Sequence, residues 1–421
     1  MQSLLQTLRH EFEIKINRLQ QIVHRDLVVP DIPGKIKVIV GMRRTGKTYY
    51  LLEKIQDLLK KGVPYSQILY LSLEDDRIQQ INAKQLAALV DEFYTLHPEN
   101  HQQPCYLFFD EIHAVEGWSQ VIRRLQDTKE VNLYLTGSSA KLLSKEIATE
   151  LRGRSIAYEM WPFSFTEYLR ALNIEFKEPK SRIDFDYCKK YLHTYLSEGG
   201  FPETTLLAFP EKNTILQEYV NVVIYRDVVD RYHISNLSLI KYIIKTLLKN
   251  PATSMATNKL YNDIKSQGYA VGRTTVYEYL EYITDAYLTF MVPLYSESVR
   301  KTQINPKKIY AVDPGLSRAY TFSTSSNVGH LFENMIYLDL RRAGQEIYYY
   351  FTKEKYEIDF FTRSPEGKLH LYQVAWDIED PKTLERETRA LRSAEQELGI
   401  PGTLLTPETY FSWARKQNEI I

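Results

Sequence analysis

Gly41-Met42-Arg43-Arg44-Thr45-Gly46-Lys47-Thr48 fills every fixed position of the Walker A form G-x-x-x-x-G-K-[ST], and a loop of that form belongs where a strand turns into a helix. The flanks comply. Lys37 to Val40 reads as a short buried strand, and Tyr49 to Leu59 carries the apolar spacing of a helix. Glycines let the backbone curl so that the N–H groups of Gly41 to Thr48, with Tyr49 in the first helical turn, face the phosphates of a nucleoside triphosphate. Lys47 then adds a point charge and the Thr48 hydroxyl a ligand for Mg²⁺.

A second motif points to the same chemistry. Cys105 to Phe109 is an apolar run ending in Asp110-Glu111, the form of a buried parallel strand that delivers acids to the edge of a nucleotide site. Asp110 would hold Mg²⁺, and Glu111 would orient or deprotonate an attacking water. The adjacent glutamate argues for hydrolysis rather than binding alone.

Composition narrows the class without naming a partner. Lys and Arg total 53, as do Asp and Glu, so only local charge imbalance can speak about ligands. Two cysteines, Cys105 and Cys188, exclude a disulfide framework and a Cys-rich zinc site. No apolar run approaches a membrane span and charges are spread through Met1 to Leu19, so no membrane role and a cytoplasmic location are expected. The 32 tyrosines could serve base stacking, but most lie in periodic segments where core packing is the default.

Strand and helix patterns alternate through the first half. Residues 1–33 read as an amphipathic helix, with Leu5, Leu8, Phe12 and Leu19 at helical spacing, and a Pro-bounded linker. Further strands are expected at Ile68 to Leu73, Tyr106 to Phe109, Val131 to Leu135 and Ile156 to Met160, with helices between them. That order implies right-handed crossovers and an α/β fold with a parallel sheet binding ligands at its carboxyl edge.

The order of elements resembles the AAA+ branch of P-loop ATPases. More narrowly, it is similar to the AAA-type ATPases that carry a DUF4143 region at their C-terminal end. The residues that carry the resemblance are the GMRRTGKT loop, LFFDEIH at 107–113, YLTGSSAKLL at 134–143, LRGR at 151–154, WPFSFTEYL at 161–169, EGGFPE at 198–203, NPKKIYAVDPGL at 305–316, then GHLFEN and EIDF. The resemblance implies ATP and Mg²⁺ as cofactors, a nucleotide-binding core over 34–165, a helical lid over 166–235, and a homo-oligomeric ring, with a hexamer as one form.

It also implies residue roles. Thr136 or Ser138 stands where a polar residue senses the γ-phosphate, although either hydroxyl could equally serve a turn. Arg152 and Arg154 stand where a subunit projects an arginine into its neighbour's site, or are solvated surface groups. Gly200 and Pro202 form a turn that either reports nucleotide state to the lid or simply joins two helices, and Arg226 is a weaker candidate for a lid arginine.

Two modules follow. Residues 236–310 hold ten Lys and Arg against five Asp and Glu, a local excess of five positive charges. Thr257 to Lys265 and Arg273 to Tyr287 read as helices around a Gly-bounded turn, followed by a strand at Leu288 to Val292 and a basic hairpin. This resembles a winged helix-turn-helix in which Arg273, Thr274, Thr275 and Tyr277 face DNA while Arg300, Lys301, Lys307 and Lys308 follow the backbone. Residues 311–421 are similar to restriction-endonuclease-like folds. Glu333 and Asp359 match that pattern, whereas Gln373 replaces its second acid and Ala375 its lysine, and Lys353 or Lys355 is the only obvious substitute cation. The site is thus expected to be degenerate.

The combined expectation is an ATP hydrolase coupled to DNA binding or remodelling, for example junction branch migration. An ATP-gated switch or assembly protein, as in defence, and an ATP-regulated nuclease are the alternatives.

Overall fold

The computed structural model describes residues 2–19, 22–137, 150–151, 153–208, 211–321, 328–378 and 380–420, and the chain divides into two compact units, Met1–Met160 and Trp161–Ile421. Ser138 and Arg152 lie outside the described residues.

The first unit is built on five strands: β1 (Ile36–Val40), β2 (Ile68–Ser72), β3 (Cys105–Asp110), β4 (Val131–Gly137) and β5 (Ser155–Glu159). All pair in parallel, in the order β2-β3-β4-β1-β5. The five strands expected from the sequence are all present. Helices Lys47–Lys60, Ala83–Leu96 and Trp118–Thr128 form the connections. Because β1 and β3 are apolar on both faces, successive residues feed two cores. Val38, Val40, Leu107 and Phe109 join one, while Ile39 and Phe108 join the other with Tyr50, Leu51 and Ile55.

Helix Gln2–Arg18 departs from the expected separate segment. Leu5 and Leu8 enter the first core, Phe12 and Ile16 the second. Its apolar stripe is long enough to cover parts of both, so it belongs to the first unit.

The second unit begins with helices Phe165–Ala171 and Arg182–Glu198, each opened by a capping box (Ser164 with Glu167, Ser181 with Asp184). Helix Glu211–Val222 runs into a π-helical stretch, Val223–Val229, that carries Arg226 on its surface. Next come helix Leu237–Lys249, β6 (Thr253–Met255), helices Thr257–Ser266 and Arg273–Asp285, β7 (Thr289–Val292) and β8 (Lys307–Ala311). The three strands form an antiparallel sheet in the order β6-β8-β7. β7 and β8 pair antiparallel where the basic hairpin was expected, and their connection contains a short helix, Val299–Ile304.

The last portion places helix Val328–Arg342 before β9 (Glu346–Phe351), β10 (Glu357–Arg363) and β11 (Leu369–Val374), followed by helix Pro381–Leu398, β12 (Gly402–Leu405) and helix Pro407–Ile420. β9, β10 and β11 are antiparallel, and β12 pairs parallel to β11. Glu333 lies on the helix, Asp359 on β10 and Gln373 on β11.

Three motifs singled out in the sequence meet in one junction of this unit. Gly199, at φ 79, and Gly200 form a turn whose N–H at Gly200 donates to Asp313 Oδ2 at 2.7 Å, while Phe163 N–H donates to Gly200 O at 2.7 Å. A Cβ at Gly199 would lie 2.0 Å from Asp313 Oδ1, and one at Gly200 would lie 2.3 Å from Phe163 O. Pro202 opens the single turn Pro202–Thr204 beside this junction.

Burial raises the Asp313 carboxyl to about 6, with N–H donors from Gly200, Leu316 and Gly315 pulling the other way. A folded-state value above the ordinary 3.8 means that the folded chain holds this proton more tightly. The stabilisation is full below the ordinary value and is lost as pH rises through about 6. Asp313→Asn should therefore flatten the stability-versus-pH curve over that window in denaturant unfolding. An unchanged curve would mean that Asp313 stays ionised throughout.

Candidate nucleotide site

The register of the parallel sheet sets the carboxyl ends of its strands level. Val40 pairs with Gly137 and Glu159, and Ser72 with Asp110. At this edge Gly41 turns away from β1 with φ 151, and a Cβ there would meet Met160 O at 2.1 Å. The loop closes on itself through Thr45 Oγ1, which donates to Met42 O at 2.9 Å, and both residues are fully buried. Gly46, at φ 98, caps helix Lys47–Lys60 without a side-chain hydrogen bond. The first helical N–H groups are thus offered to an external anion, in line with the helix dipole.

Lys47 is buried, and its ammonium donates to Gly41 O at 3.1 Å and Met42 O at 3.0 Å. Thr48 Oγ1 donates to Asp110 Oδ2 at 2.7 Å, so a hydroxyl and a carboxylate suited to Mg²⁺ sit side by side. Arg43 pairs with Glu74 at 3.3 Å, while Arg44, at φ 67, and Tyr49 are exposed.

Asp110 also accepts the buried Tyr70 hydroxyl at 2.9 Å and the Thr136 hydroxyl. Burial first, and then the Asp110 charge, raise the Tyr70 phenol well above its ordinary value, so it acts as a donor. Thr136 in turn accepts the Glu111 N–H at 2.9 Å. This bond fixes Glu111 in a left-handed conformation, φ 55, that carries its carboxylate to 3.9 Å from Lys47 Nζ and 3.2 Å from His113 Nδ1. Of the two hydroxyls considered, Thr136 lies among these groups, and Ser138 is outside the described residues.

Sequence reasoning missed Tyr70, His113 and Arg25. Arg25 lies in the segment read as a linker, yet its buried guanidinium donates to Thr45 O at 2.7 Å and braces the loop from behind. Tyr70 had a signal in the alternation of β2, where Tyr70 and Ser72 share a face. Arg154 forms an exposed ion pair with Asp127 at 2.7 Å, a contact worth about 0–1 kcal/mol.

In the second unit, Arg273, Thr274 and Tyr277 are exposed and Thr275 is half-buried on helix Arg273–Asp285, but Glu278 and Glu281 share its exposed surface. Arg300 and Lys301 are exposed, and Lys307 is half-buried. Lys308 corrects the expectation of a phosphate contact. It is 2% exposed, and its ammonium is bonded to Glu333 Oε1 at 2.9 Å, Glu357 Oε1 at 2.7 Å and Asp359 Oδ1 at 2.8 Å. Burial opposes its charge, but the surrounding carboxylates outweigh burial and hold it well above the ordinary lysine value.

Gln373 is turned to other partners: it donates to Glu387 Oε2 at 2.6 Å and accepts the Asp359 N–H at 3.3 Å. Lys353 and Lys355 are exposed, with Lys353 lying 3.9 Å from Glu397, and neither is the cation of this cluster. An endonuclease-like site implies Mg²⁺ between such acids, and these residues do not fit it, because a lysine nitrogen already lies among their oxygens.

Among the described residues, no helix is long and apolar enough to cross a membrane. Comparison with known proteins gives three matches to family models. Residues 33–169 match the AAA domain, 189–327 match a domain of unknown function, DUF8612, and 328–416 match another, DUF4143. An uncharacterised protein of Methanocaldococcus jannaschii is 36% identical, covering 94% of this chain and 87% of its own. A second, from Haemophilus influenzae, is 30% identical over 82% of this chain and 83% of its own. Among solved structures, the Orc1 protein of Aeropyrum pernix in complex with DNA aligns over 75% of this chain and 90% of its own, at 11% identity and a TM-score of 0.30, a likeness too slight to bear on function. The AAA domain match over the phosphate loop and parallel sheet, the DUF4143 match at the other end, and relatives spanning nearly the whole chain agree: this protein belongs to the AAA-type ATPases that carry a C-terminal DUF4143 region.

Proposed function

We propose that the chain binds ATP with Mg²⁺, hydrolyses it, and couples the cycle to DNA. The observation that carries the hydrolytic part is the meeting of Lys47, Thr48, Asp110, Glu111 and Thr136 at one sheet edge. Lys47 and the N–H groups of Met42 to Tyr49 hold the phosphates. Thr48 and Asp110 hold Mg²⁺, which neutralises phosphate charge when bound. Glu111 takes a proton from water at its carboxylate, and Thr136 holds Asp110 and the Glu111 backbone in register. Arg154 is proposed to act across a subunit boundary in a ring, a role Arg152 could share.

The DNA part rests on the order helix, strand, helix, helix, strand, short helix, strand from Leu237 to Ala311, which supports a winged-helix reading with a helix inserted between its last two strands. Arg273 and Thr274 sit exposed at the start of its third helix, with Arg300 and Lys301 exposed beyond β7. The loss of Lys308 to buried carboxylates, and the exposed Glu278 and Glu281, give some weight to a second reading as an ATP-gated switch. A salt titration separates the two. DNA affinity should fall steeply with salt, and Arg273→Ala with Lys301→Ala should lower the log–log slope by roughly two while sparing basal ATPase activity. No salt-dependent affinity for duplex, single-stranded or four-way-junction DNA, with or without a slowly hydrolysed ATP analogue, would leave the switch reading in place.

A further inference from the structure

The cluster around Lys308 gathers three carboxylates about one nitrogen. An ammonium has three N–H donors. Lys308 Nζ donates to Glu333 Oε1 at 2.9 Å and Asp359 Oδ1 at 2.8 Å, and Glu357 Oε1 lies 2.7 Å away as a third ion-pair partner. The outer contacts are filled as well. Tyr310, two residues along β8 and on the same face, donates its hydroxyl to Glu333 Oε1 at 2.7 Å, and Val374 N–H donates to Asp359 Oδ2 at 2.9 Å. Three carboxylates from helix Val328–Arg342 and β10 are thus drawn around one ammonium supplied by a strand from outside the DUF4143 match.

A divalent ion bound to the same oxygens would need them at 2.0–2.6 Å, in the space the ammonium fills, and would meet its charge at contact distance. Lysine and metal are therefore mutually exclusive here. We propose that Lys308 is the resident cation of this endonuclease-like domain: a tethered ammonium takes the place of Mg²⁺, the domain is metal-free and does not cleave, and removing Lys308 uncovers a latent divalent-cation site formed by Glu333, Glu357 and Asp359. The alternative that the same residues could serve is a displaced catalytic lysine beside a working metal site. In that case metal would bind with Lys308 present.

The test is Mn²⁺ binding to the full chain, read by electron paramagnetic resonance without nucleotide and in an Asp110→Asn background that removes the phosphate-loop metal ligand. With Lys308 intact, no ion should bind at about millimolar Mn²⁺. Lys308→Ala removes both the charge and the side-chain end that fills the space, so it should gain one ion per chain and lose it again on Asp359→Asn. Melting gives an independent reading, because Mn²⁺ should raise the midpoint of Lys308→Ala and not that of the Lys308 protein. An ion bound with Lys308 present and lost on Asp359→Asn would overturn the proposal, as would Mn²⁺-dependent DNA cleavage lost on Asp359→Asn. A folded Lys308→Ala protein that gains no ion would overturn it too. Should Lys308→Ala not fold, the measurement on the Lys308 protein decides alone.

Discussion

Glu111→Gln should leave nucleotide affinity within a few-fold of the parent and cut turnover by roughly a hundredfold or more, whereas Lys47→Ala should lose binding itself. The contrast follows from where the two side chains stand. Lys47 is buried against the carbonyls of Gly41 and Met42, inside the loop that would wrap the phosphates. The Glu111 carboxylate lies 3.9 Å from Lys47, and its backbone is held separately by Thr136. Glutamine keeps the length of the side chain and the backbone bond, so Asp110 and Thr48 should not move. What is lost is a carboxylate able to accept a proton. Titration calorimetry with ATP, beside phosphate release under saturating ATP, measures both arms. Equal loss of affinity in both variants would place Glu111 among the binding groups instead.

Gly41→Ala should be the most damaging single methyl group in the first unit. The backbone at Gly41 has φ 151, and the new Cβ would lie 2.1 Å from the Met160 carbonyl oxygen, a backbone atom with little room to retreat. Met160 N–H donates to Val40 O at 2.7 Å, so moving it would break the end of the β1–β5 pairing. A loss of roughly 3 kcal/mol or more is expected in denaturant unfolding, with nucleotide binding lost alongside. Gly62→Ala is the control: φ is 88, but nothing lies within 4 Å of the added Cβ. It should cost only about 1–2 kcal/mol. Similar losses at both positions would mean that backbone conformation, and not the Met160 contact, makes Gly41 necessary.

Much of the first unit was legible because its chemistry is local. The loop, its strand and its helix are contiguous, and Asp110-Glu111 end an apolar run short enough to be a strand. What stayed hidden crosses the sheet. Asp110 is held by Tyr70 from the neighbouring strand and Thr136 from the other side, and strand order is not written in any one segment. Arg25 was hidden for a different reason, since nothing in a Pro-bounded stretch marks which cation folds back on a loop. In the second unit, counting charge misplaced Lys308. Period-two alternation separates Lys307 from Lys308 and groups Lys308 with Tyr310, but a charge excess treats both lysines alike. The EGGFPE and VDPGL segments were each noticed, and only the structure shows that Gly200 and Asp313 are partners.

β8 answers to two structures at once. Its backbone is the middle strand between β6 and β7, while Lys308 and Tyr310 complete the polar interior behind Glu333 and Asp359. Neither layer can lose it: one would surrender its central hydrogen-bonding strand, the other would be left with the buried carboxylates of Glu333 and Asp359 and without the ammonium they share. The line drawn at residue 310 is therefore a border between likenesses and not between folding units. A fragment cut there would keep Glu333 and Asp359 and lose the ammonium that lies between them.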